Sequence, residues 1–140
     1  MRLKRYLKEG NIKKVTMTLY HGVKDPSKLK NIMKMGFDLS YIKPNWTNDY
    51  AISALKSKSE IQKYFPNKVI PILKFKFIGS LWKSSGSFDS IDSDLGVYED
   101  DPKKYSREII NSGVDAVELG GGLVYIYNLK KISKIELTWD

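Results

Sequence analysis

Cysteine is missing from all 140 residues, and histidine occurs once. The first absence excludes disulfides and thiolate metal sites. The second would leave a zinc site to carboxylates, so no metal partner is expected. Long apolar runs are missing as well. None approaches the about 18 residues that a membrane helix needs. The opening MRLKRYLKEG is charged throughout and lacks the apolar middle of a secretion signal. The expectation is a cytoplasmic protein that engages no membrane. Acid is in short supply too: 16 Asp and Glu stand against 24 Lys and Arg, leaving a net charge of +8. That surplus suits an anionic partner, whether nucleic acid, a nucleotide or an acidic protein surface, and equally suits a merely Lys-rich solvated surface.

What is present is enough for one folded domain over 1–140. Hydrophobic residues make up 41%, with three Trp, nine Tyr and five Phe, which argues against a disordered chain. No internal repeat or second domain is visible. Residues 1–13 read as a short basic helix with Leu3, Tyr6 and Leu7 on one face and Gly10 as its stop, ahead of a core over 14–140.

That core is organised around VTMTLYHGVKDPSKLKNIMKMGF, Val15 to Phe37. Val15, Met17 and Leu19 alternate with Thr16, Thr18 and Tyr20, the period of a half-buried strand. The strand delivers the lone His21, followed at once by Gly22. Asp25 and Pro26 then start a helix with Leu29, Ile32 and Met33 as its stripe and Gly36 as its stop. An imidazole beside a residue with no side chain suits close backbone approach to a flat polar ligand.

An aromatic loop follows over Phe37 to Tyr50, with Tyr41, Trp46 and Tyr50 either at a site or as a lid on the core. Asn48 or Asp49 is read as the cap of a helix through Ala51, Ile52, Leu55, Ile61 and Phe65. Lys68 to Ile78 reads as a strand, with Val69, Leu73, Phe75 and Phe77 on one face and Lys74 and Lys76 opposite. Residues 79–101 read as a Ser/Asp-rich loop. Asp101-Pro102 starts a second helix that stops at Gly113. Strands are expected at Val114 to Leu119, Leu123 to Asn128 and Lys134 to Thr138, the first two joined by a turn at Gly120 to Gly122.

Leu19-Tyr20-His21-Gly22, Gly36-Phe37, TNDYA at Thr47 to Ala51 and VYIYN at Val124 to Asn128, in this order, resemble the ADP-ribosyltransferase superfamily. The closer likeness is to its histidine-bearing branch, that of the poly(ADP-ribose) polymerases and diphtheria toxin. The resemblance implies an α+β fold with two small antiparallel sheets facing a cleft, flanked by helices. It also implies an NAD-dependent mono-ADP-ribosyltransferase, a phage or bacterial effector that modifies a host protein or nucleic acid in the host cytoplasm. NAD would be the substrate. Gly22 would pair its backbone with the nicotinamide carboxamide, and His21 would hold a ribose hydroxyl. Trp46, Tyr41 or Tyr50 would stack on the ring, with Tyr20 and Thr47 flanking the cleft.

Family members place a catalytic glutamate at the start of a late strand, and here Leu123 holds that position. Either Glu118 supplies the acid from the neighbouring strand, or the chain is a degenerate module that binds NAD or nucleic acid. A third reading is a non-enzymatic protein-interaction domain. A two-residue Gly121-Gly122 turn, the favoured kind, would pair Glu118 with Tyr125 and turn it to the face of Leu123; a three-residue turn would send it to the other face.

Overall fold

The computed structural model describes residues 12–23, 25–37, 51–66, 69–83, 101–119 and 122–138. Their elements run β1 (Ile12–Gly22), α1 (Leu29–Met35), β2 (Ile52–Ala54), α2 (Lys58–Tyr64), β3 (Ile72–Lys83), α3 (Pro102–Asn111), β4 (Ala116–Glu118), β5 (Val124–Ile126) and β6 (Ile132–Thr138). The class is α+β, as expected. The expected pair of antiparallel sheets is corrected to one curled, mixed sheet of six strands in the order β1-β3-β4-β5-β2, with β6 also on β3.

The length of β3 explains the curl. One edge pairs with β1 along its whole run, from Ile12 against Trp82 to Gly22 against Ile72. The other edge is shared: β6 takes its first half, and β4 takes Leu81 to Lys83 in parallel. A parallel neighbour requires a crossover, and α3 lies on that connection. A single backbone bridge between Tyr20 and Leu55 brings β2 back to β1.

Period-2 alternation sorts the side chains to the two faces. Leu19, Phe75, Phe77, Leu81, Ala116, Val124 and Ile126 pack inside the curl, as do Ile52 and Ala54. Outside, Trp82, Val117 and Tyr125 pack under Tyr105 and Ile109 of α3. At the other end of the outer face, Leu55 and Ile72 pack under Ile61 of α2. At about 25 cal/mol per Å², each such fully buried large side chain contributes roughly 1.5–3 kcal/mol.

Several boundaries differ from expectation. Ile12 and Lys13, assigned to the N-terminal segment ahead of the core, begin β1; the expected basic helix, which stops at Gly10, lies outside the described residues. Of the helix expected from Asn48 or Asp49, residues 51–65 hold a strand followed by a shorter helix, and 48–50 lie outside the described residues. Ile52 and Ala54 face the inner core, and α2 starts at Ser57, whose hydroxyl accepts the Glu60 N–H at 3.3 Å. Ser57-x-x-Glu60 is a capping-box pattern that was legible and missed. Gly79 to Lys83 extend β3 because Leu81 and Trp82 each bury against a core. Val69 lies before the strand and is 78% exposed, so it does not share the buried face of Leu73, Phe75 and Phe77. The helix from Asp101 is as read, its carboxylate capping Lys103 N–H at 3.1 Å. No helix among the described residues is long and apolar enough to cross a membrane.

Candidate functional site

The site grows from a gap between two strands. Antiparallel strands alternate the direction of their backbone polar groups. Odd residues of β1 turn theirs toward β3, and Val23 continues that pattern by donating to Pro71 O at 2.8 Å. Even residues turn theirs the other way. Tyr20 spends its outward pair on Leu55, with N–H to O distances of 2.8 and 2.9 Å. By Gly22, the next even residue, β2 has diverged. The Gly22 N–H and C=O therefore face the gap, with no backbone partner among the described residues.

The glycine is required there by packing alone. A Cβ would sit 2.7 Å from Ile70 Cδ1 and 3.1 Å from Ile61 Cγ2. The side-chain space is filled, so only the backbone edge remains for a ligand.

His21 closes one side of the gap. Its Nδ1 lies 2.6 Å from Ser53 O. A carbonyl only accepts, so Nδ1 carries the proton and Nε2 is the acceptor of the neutral ring. Phe37 meets the imidazole edge-on at 5.5 Å, and Phe75 backs Phe37 at 5.6 Å. Loss of solvation in this packing lowers the His21 pKa below 6.5, against the smaller upward pull of the Ser53 carbonyl. The ring is neutral at pH 7.

Between these groups lies a recess of about 190 Å³. His21, Gly22 and Ser53 line it with Leu55, Ile61, Tyr64 and Phe65, and Leu123 and Tyr125 complete the wall. That volume is below the roughly 300–1,000 Å³ of pockets for drug-sized ligands, and suits one ring-sized group. The chemistry offered is a donor and an acceptor side by side, flat apolar walls and one imidazole acceptor.

Glu118 is not on those walls. The hairpin turn has three residues, 120–122: Leu119 N–H donates to Leu123 O, and Glu118 pairs with Val124. The expected two-residue register with Tyr125 is thereby corrected. Gly122, at φ 86°, supplies the left-handed backbone that this longer turn needs. The register sends Glu118 to the inner face, opposite to Leu123 and Tyr125. Its carboxylate is 7% exposed and is held by Lys56 at 2.9 Å and Lys83 at 3.8 Å.

The structure thus brings together His21 and Gly22, and adds Leu123, the position where the resemblance implies an acid. Tyr20 packs its ring with the Leu55, Ile61 and Ile72 cluster and does not line the recess. Tyr41, Trp46, Thr47 and Tyr50 lie outside the described residues. Sequence reasoning missed Ser53, Tyr64 and Phe65 as walls. Reading 51–65 as one helix hid them, although Tyr64 follows Ile61 at a helical spacing of three residues. No family model matches the chain, and no curated protein or solved structure matches it either.

Proposed function

We propose that the recess at Gly22 holds the nicotinamide end of NAD, and that the chain is an NAD-binding module of ADP-ribosyltransferase-like design. The observation that carries this reading is the open backbone edge of Gly22 facing a ring-sized, apolar recess. A primary carboxamide presents one donor and one acceptor on adjacent atoms, and these complement the C=O and N–H of one strand residue. The aromatic ring fills the space between Ile61, Phe65 and Leu123, and His21 Nε2 accepts from a ribose hydroxyl. Binding is favoured over transfer because Leu123 gives the recess wall no carboxylate, while Glu118 faces the other way toward two lysines. The transferase reading would have Glu118 leave those lysines and reach the ribose. It predicts nicotinamide release that disappears in Glu118→Gln.

Calorimetry with a ligand series tests the binding reading without altering the protein. Nicotinamide and NAD bind, and nicotinic acid binds about tenfold or more weakly, since its carboxylate sets an acceptor against the Gly22 C=O. Leu123→Trp, which fills the recess, abolishes binding of both. Equal affinity for amide and acid, or no effect of the tryptophan, would overturn the assignment.

A further inference from the structure

The outer face of β3 is covered at both ends and open in the middle. Ile72 is roofed by α2 and Trp82 by α3, each in its apolar cluster. Between them, the even residues Lys74, Lys76, Ile78 and Ser80 turn outward, and no described element packs over them. The neighbouring strands extend this strip. β1 sets Thr18 beside Lys76, Thr16 beside Ile78 and Lys14 beside Ser80. On the other edge, β6 sets Ser133 beside Lys76 and Glu136 beside Lys74.

The composition of this strip is selective. Three lysines and four hydroxyl side chains stand against two acids: Glu136 across from Lys74, and Asp115 at the far end, its carboxylate engaged by the Ser80 N–H and Asn128 Nδ2. Neither Lys74 nor Lys76 has an ion-pair partner among the described residues. The two side chains leave the same face of the strand from backbone positions about 6.8 Å apart, the two-residue repeat. Glu136 lies across from Lys74 alone, so the strip keeps an excess of positive charge, which raises local potential and selects a partner with regularly spaced negative charge. Lysines interleaved with Ser and Thr hydroxyls are the groups that contact phosphate oxygens. Ile78, 52% exposed at the centre, adds an apolar contact. An unstacked base can use it, and the paired bases of a duplex cannot. Lys104 and Arg107, exposed on the α3 helix that roofs one end, carry the positive field onward.

We propose that this strip docks single-stranded nucleic acid through its phosphodiester backbone, without base-specific readout and independently of the recess at Gly22. Binding then follows counterion release, with affinity falling as salt rises.

Fluorescence anisotropy with a labelled oligothymidylate of about 12 nucleotides tests this, a length within the site sizes of single-strand-binding modules. Lys74→Thr/Lys76→Thr keeps residues that suit a strand. It is expected to weaken binding at least about tenfold and to reduce the log–log salt slope by about 1.4, two contacts at about 0.7 each. Lys30→Glu/Lys34→Glu removes more net charge from α1, whose Ile32 packs against Leu73 on the inner side of the sheet. This variant should change affinity less than about threefold. Three results would overturn the proposal: no saturable binding by the wild-type protein, equal losses in both double variants, or displacement of the oligonucleotide by polyglutamate at matched charge. The last would reassign the strip to acidic proteins.

Discussion

The sheet parts in two places, and the two gaps are treated in opposite ways. Where β3 leaves β6 and joins β4, Asp115 fills the opening. Its Oδ2 accepts Ser80 N–H at 2.8 Å, and its own N–H donates to Ser80 O at 2.9 Å. Its C=O accepts from Tyr127 and Asn128, and Oδ1 accepts from Asn128 Nδ2 at 2.9 Å. Where β1 and β2 part beyond the Tyr20–Leu55 bridge, no comparable side chain enters among the described residues. Among the described residues no backbone group meets the Gly22 N–H and C=O, and the His21 ring crosses to Ser53 O. A residue that ties Ser80, Tyr127 and Asn128 together across a gap makes that gap architecture. A donor and acceptor with no described partner beside an apolar recess is the feature on which the proposed ligand site rests, since buried polar groups without partners are costly.

The strongest way to sharpen this contrast is to give the open gap the acid it lacks. Leu123→Glu places a carboxylate on the recess wall, where the resemblance puts the catalytic glutamate. If nicotinamide sits against Leu123, the added charge stabilises the developing ribose cation. Nicotinamide release from NAD should then rise by about 10²–10³ over the wild-type chain, or ~2.7–4 kcal/mol. Chromatographic assay of free nicotinamide reads this directly. A variant that still binds NAD but releases no nicotinamide would place the scissile bond elsewhere.

Breaking the closed gap comes next in size. Asp115→Ala removes the acceptor of Ser80 N–H and of Asn128 Nδ2, and hydrogen bonds to charged groups are each worth about 1.5–3 kcal/mol. A loss of about 3 kcal/mol is expected in urea unfolding, with m unchanged. Asp115→Asn, which keeps one acceptor oxygen, should lose roughly half as much. Neither change should alter nicotinamide affinity by more than about twofold, because the Gly22 gap lies across the sheet. Parallel loss of stability and binding would show that the two gaps are one system.

How far these features were legible in sequence follows the range of the forces involved. Local signals were readable: the Val15-Met17-Leu19 alternation, the Asp25 and Asp101 caps and the Gly113 stop depend on neighbours within a few residues. The pairing of His21 with Gly22 at a strand end was legible too, because both lie on one strand. The errors came where partners are distant. Ala51 to Leu55 have an apolar pattern that fits a helix or a buried strand, and the pairing with β5, 70 to 74 residues on, decides between them. Glu118 depended on one residue of turn length, since a single step of register exchanges faces. The strand after Gly79 was invisible because Leu81 and Trp82 bury against different cores, which hides the alternation.

The smallest expected effect concerns the imidazole that crosses the open gap, and it acts through protonation. Burial lowers the His21 pKa in the folded chain below the 6.5 of the unfolded one. Between those two values the unfolded chain binds more protons, so stability rises with pH across that window. Its contribution is complete above 6.5 and is lost as pH falls through 6.5 toward the folded value. Thermal unfolding between pH 7.5 and 5.5, above the range where ordinary carboxylates titrate, should show a lower Tm at the acid end. The decline should be smaller in His21→Gln. Ligand binding separates this from a general acid effect. Protonated His21 has no acceptor at Nε2, so NAD loses its ribose contact, worth about 0.5–1.5 kcal/mol or roughly two- to tenfold in affinity. Free nicotinamide has no ribose and should bind with little change over the same range. If both ligands weaken together as the pH falls, His21 acts on the shape of the recess and not on the ribose.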